Sequence, residues 1–119
     1  MSWFWTTIAA SLVVGLIAGG SWFYQMKGVM KKQCAGENGA KSIASNTQTA
    51  INFNNKTAAP IMIFWLDFEG VREFFHELAP GKTYRQETYM NHVWVVTTRR
   101  DCLGLYRAEG ATTEVTIGP

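Results

Sequence analysis

Four side chains in this sequence are of the kinds that hold metals or attack substrates: Cys34, Cys102, His76 and His92. Their spacing argues against either use. No Cys-x-x-Cys, His-x-His or His-Glu-x-x-His run occurs, and a zinc site would have to draw one ligand from each of four distant segments. A nucleophilic Ser or Cys needs a base beside it, yet the sequence has no Gly-x-Ser-x-Gly elbow and no phosphate-binding glycine loop. Asp67, Glu69, Glu73 and Glu77 cluster around one turn. Paired carboxylates can hydrolyse glycosides, but this spacing is that of a solvated strand surface. We expect no catalytic residue, no metal, no cofactor and therefore no enzyme.

Two cysteines in an extracytoplasmic domain usually pair. A Cys34–Cys102 disulfide would close a long loop and contribute about 3–4 kcal/mol in the chain-entropy model. The alternative is two free thiols, one of them buried. We expect the disulfide.

Around these residues the chain divides sharply. Its 119 residues suffice for one small domain and an appendage. The first charged side chain is Lys27, and Trp3 to Tyr24 is a run of 22 residues without a charge. As a helix that run spans roughly 33 Å, enough for the hydrocarbon core of a bilayer. Trp3 and Trp5 at one end and Trp22, Phe23 and Tyr24 at the other suit the two membrane interfaces. A cleaved signal peptide is the rival reading, but Met1–Trp5 lacks a basic side chain. We expect a transmembrane helix over 1–26. Thr7, Ser11, Gly15 and Gly19 recur at every fourth position, a stripe of small residues suited to helix packing or, equally simply, to facing lipid.

Residues 27–42 read as a stem, rich in Gly, Asn, Ala and Lys. The stretch 27–50 carries Lys27, Lys31, Lys32 and Lys41 against Glu37, a net +3, whereas 51–119 carries seven basic and eight acidic residues, a net −1. The basic charge thus belongs to the stem, either solvated near headgroups or bound to anionic lipid. The domain has no basic footprint for nucleic acid.

From residue 43 on, the expectation is a small antiparallel β-sandwich, all-β, of about seven strands. The β-prone runs are Ala50–Asn54, Ile61–Phe68, Val71–Leu78, Thr83–Tyr89, Val93–Thr98, Leu103–Arg107 and Thr113–Ile117. Turn signals separate them, notably Glu69-Gly70, Pro80-Gly81 and Asn91.

The spacing Trp65-Leu66-Asp67-Phe68-Glu69-Gly70, Leu78-Ala79-Pro80-Gly81, Thr88-Tyr89 and His92-Val93-Trp94 resembles the β domain of the von Hippel–Lindau (VHL) tumour suppressor family. Ile51-Asn52-Phe53-Asn54-Asn55 fits the family's first strand, and Cys102-Leu103-Gly104-Leu105-Tyr106 looks like bacterial stand-alone members. The resemblance covers about 43–119. It implies a binding module for an extended peptide, with Trp65, Phe75, Thr88, Tyr89, His92 and Trp94 lining an aromatic groove. Trp94 would be its apolar floor, and Thr88 and His92 would bond a ligand hydroxyl. Phe75 stands where the family has a tyrosine, and Glu87 where it has a histidine. The helical domain that docks a ubiquitin-ligase scaffold has no counterpart in the sequence given.

Two readings follow. One is a membrane-tethered module that binds a protein partner or peptide segment. The other is an accessory, structural subunit of a larger membrane complex, photosynthetic or respiratory for example, packed through Thr7, Ser11, Gly15 and Gly19. Lysines after the helix favour a cytoplasmic domain. The cysteines and the bacterial resemblance favour the opposite side, and we expect a periplasmic or otherwise extracytoplasmic domain on a single-pass membrane protein.

Overall fold

A computed structural model describes residues 33–119. The expected transmembrane helix over 1–26, with its stripe of Thr7, Ser11, Gly15 and Gly19, and the first part of the stem lie outside the described residues. Among the described residues there is no α-helix, and hence none long and apolar enough to cross a membrane.

Seven strands form where turn residues interrupt β-prone runs: β1 Gln48–Asn55, β2 Ile61–Leu66, β3 Arg72–Leu78, β4 Thr83–Tyr89, β5 Val93–Thr97, β6 Cys102–Arg107 and β7 Thr113–Ile117. They make two sheets, ordered β4-β1-β7 and β3-β2-β5-β6. The expected sandwich is present, with one departure from an antiparallel design: β1 and β7 pair in parallel. A central β1 flanked by β4 and β7 buries Ile51 and Phe53 completely.

Strand alternation explains the core. Trp94 and Val96 of β5 join Ile51, Phe53, Ile61, Ile63, Leu78, Val115 and Ile117 between the sheets. Their neighbours Val93 and Val95 point to the other face and pack with Leu66, Phe64, Leu105 and Cys34. Both faces of β5 are therefore covered, and its run of Val-Trp-Val-Val reads as continuously apolar for that reason.

The cover on the outer face comes from the segment that reads as stem, Cys34 and Ala40 among it. From Cys34 to Ser42 it belongs to the folded unit. Its anchors are polar. Glu37 is buried and bidentate to Arg72, with Nε and Nη2 each donating over 2.7 Å, and it also accepts the Cys34 N–H at 2.8 Å. Ser42 Oγ donates to the Leu66 carbonyl and accepts the Val93 N–H at 2.8 Å. That hydroxyl sits where Leu66 and Val93 close the β2–β5 ladder. The Cys34–Cys102 disulfide, Cα–Cα 5.1 Å, pins the start of the segment to β6.

The turn after β2 follows the Glu69-Gly70 signal. Asp67 Oδ1 accepts the N–H groups of Glu69 and Val71, both at 2.8 Å. Gly70 has φ +83°, and a Cβ there would lie 2.7 Å from the Ala40 carbonyl oxygen, so both the turn and the strap above it require glycine. The Pro80-Gly81 turn is a corner, not a hairpin, because it carries the chain from β3 in one sheet to β4 in the other.

Candidate functional site

Trp65 and Trp94 stand directly opposite each other on β2 and β5, and one rung of the sheet runs Glu73, Trp65, Trp94, Tyr106 from β3 to β6. A β-bulge completes the cluster. Ile63 pairs with His76 and Phe64 with Phe74, which leaves Phe75 without a partner on β2. Bulges re-aim side chains. Here the extra residue turns its ring onto Trp94, centroid to centroid 5.0 Å, and towards Trp65 at 6.4 Å.

The other side of the cluster is built by two turns. Phe68, in the turn after β2, meets Trp65 edge-on at 5.1 Å and His92 at 5.6 Å. The turn from Tyr89 to His92 closes with His92 N–H donating to the Tyr89 carbonyl at 3.1 Å. Asn91 within it has φ 68°, a left-handed conformation that Asn tolerates better than most side chains. This brings the His92 ring to 5.5 Å from both Trp65 and Tyr89.

All six residues singled out in the sequence, Trp65, Phe75, Thr88, Tyr89, His92 and Trp94, thus meet in one connected cluster. Two differ from the expected roles in position. Trp94 is 2% exposed, so it lies beneath Phe75 and is core, not a surface floor. Thr88 is buried, and its hydroxyl accepts the Trp94 Nε1–H at 3.0 Å. The exposed rings are Phe68 at 44%, Phe75 at 42% and Tyr89 at 36%. Phe68 was not among the sequence candidates. The signal for it was present, an aromatic immediately before the Glu69-Gly70 turn.

Two polar groups in the cluster are unusual. Trp65 Nε1 is buried and has no hydrogen-bond partner among the described residues, a desolvation that costs about 1–3 kcal/mol. Unsatisfied groups of this kind are rare in native cores. His92 packs against three rings, and burial holds its imidazole below the ordinary value of 6.5. Burial thus favours its neutral form. The unfolded chain takes up this proton first as pH falls, so the contribution of a neutral His92 to stability is complete above about pH 6.5 and declines below it. Acidification from pH 7 to 5 should lower the urea midpoint of the wild type more than that of His92→Gln. Equal losses would place the titrating group elsewhere.

Nothing here resembles a metal or nucleophile site. Cys34 and Cys102 are joined to each other, and no three His, Cys, Asp or Glu among the described residues come together as a ligand set. His76 is instead stacked on Tyr84 at 3.8 Å.

The VHL beta domain family matches the chain over residues 40–105, which include every member of the cluster. The chain belongs to the VHL beta domain family. A comparison with curated proteins finds no match. VHL beta domains are protein-binding, non-catalytic recognition modules. In this VHL beta domain the described cluster combines the exposed rings of Phe68, Phe75 and Tyr89 with the buried Thr88, His92 and Trp94.

Proposed function

We propose that this chain is a membrane-tethered, non-enzymatic module that captures an extended peptide or protein segment on the aromatic cluster of its VHL beta domain. One observation carries the reading. Residues from four strands and two turns converge so that Phe68, Phe75 and Tyr89 expose rings around the buried His92 and the partly buried Trp65. Solvent-exposed rings that no segment among the described residues covers favour a partner that buries them. Aromatic surfaces of this kind receive extended or proline-containing segments.

The tether is the uncharged run Trp3–Tyr24, proposed as a single-pass span. The Cys34–Cys102 disulfide favours an oxidising compartment for the domain, hence an extracytoplasmic location. The membrane lipid and any subunits of a larger complex are partners of the tether in this reading.

The test is co-purification of the full chain in mild detergent, comparing wild type with Phe75→Ala and His92→Ala. Leu103→Ala, exposed on β6, serves as the control, with unfolding midpoints measured for all. Loss of a central aromatic anchor should reduce partner recovery about tenfold or more, and Leu103→Ala should leave it intact. Unchanged recovery in both site variants would overturn the proposal.

A further inference from the structure

The peptide-capture reading leaves open what the captured segment looks like, and the hairpin formed by β2 and β3 bears on that. Four of the large apolar side chains exposed in the domain, Phe68 at 44%, Val71 at 59%, Phe74 at 56% and Phe75 at 42%, fall within eight consecutive residues. They are interleaved with Glu69 and Glu73 and flanked by Asp67 and Glu77. β3 is also an edge strand, so this apolar and acidic segment faces outward along a free edge.

The charges are not equivalent. The Asp67 carboxylate is occupied by the turn N–H groups it accepts. Glu69 shares a cleft with Lys41 and Gly70. Glu73 is different. It is exposed and stands directly across from Trp65, whose indole packs edge-on against both Phe68 and Phe75. It therefore lies on the aromatic face of the sheet. The two arginines of these four strands, Arg72 and Arg107, stand opposite Leu66 and Val93 on the other face. Arg72 is further held by Glu37. The aromatic face of this sheet thus carries a carboxylate and no strand lysine or arginine.

We infer that the segment bound at this site is cationic: an arginine or lysine of the partner lies against the exposed faces of Phe68 and Phe75 with its charge towards Glu73. This rests on the peptide-capture reading and specifies its ligand class. A cation over an aromatic ring is favourable, and an adjacent carboxylate adds direction to it. An acidic segment would meet Glu73 with like charge beside rings that offer no compensation. The exposure of Phe68 and Phe75 and the placement of Glu73 then have one common explanation.

The test uses the full chain in mild detergent and three synthetic nine-residue peptides of alternating proline and alanine, carrying arginine, glutamine or glutamate at two central positions. Binding is read by calorimetry at low and high salt. The arginine peptide should bind about tenfold tighter than the glutamine peptide at low salt. Glu73→Gln should erase that preference without weakening the glutamine peptide, and high salt should reduce it. Because Glu73 is exposed, the variant keeps the fold. Equal affinity of the wild type for the arginine and glutamine peptides would overturn the cationic ligand and leave peptide capture standing. Failure of all three peptides to bind the wild type would overturn both.

Discussion

Replacing Cys34 and Cys102 together by serine should lower the stability of the domain by about 4 kcal/mol. The disulfide links residues 68 apart in sequence. In the chain-entropy account, a loop of that length restricts the unfolded ensemble by about that amount. The effect is large because a domain of this size has only about 5–10 kcal/mol in total. The measurement is equilibrium urea denaturation of wild type, the double variant and reduced wild type. The last two should coincide, with a lower midpoint and a larger m-value than the oxidised protein, since the uncrosslinked unfolded chain exposes more surface. A midpoint that does not move would mean that Glu37 and Ser42 hold the strap without help.

The second large effect is expected at Arg72. Its guanidinium is bidentate to Glu37, and the two side chains are only 13% and 4% exposed. Arg72→Ala removes the partner and leaves a carboxylate in a place where water does not reach it. That costs about 3 kcal/mol, although Glu37 keeps its bond from the Cys34 N–H. The double variant Glu37→Leu with Arg72→Leu should lose less than Arg72→Ala alone, because no charge is then stranded. If the double variant were the less stable of the two, the pair would be contributing net attraction and not merely mutual neutralisation. The cation–π approach of Arg72 to Phe64, 5.6 Å, is lost in both and does not affect the comparison.

The sequence made the strands legible because each is a short β-prone run ended by a turn residue whose backbone requirement is local. Gly70 and Gly81 illustrate this: both have positive φ, and each lies in a turn that follows a strand, β2 ending at Leu66, two residues before the expected Phe68, and β3 at the expected Leu78. The residues of the cluster were picked out as a set from the family spacing, and the fold brings them together. Their depths were not legible. Whether Trp94 or Phe75 lies uppermost depends on the bulge at Phe75, and a bulge is a property of the pairing between two strands, not of either one. The packing of the strap, a segment that reads as stem, was hard to see for a related reason. It is held by Glu37, Ser42 and Cys34, three polar or small side chains in a stretch without apolar periodicity, so a search for hydrophobic pattern passes over it. The parallel pairing of β1 with β7 joins segments too distant for any local signal.

That parallel pairing bears on how the protein is made. β1 begins at Gln48 and its sheet is not complete until Ile117, near the end of the chain. Closing so long a loop before its contacts form is entropically slow. The other sheet, β3-β2-β5-β6, draws on strands nearer in sequence and can assemble first. Until Thr113–Ile117 joins it, β1 has only β4 beside it, so Gln48–Asn55 becomes a central strand through its pairing with β7 alone.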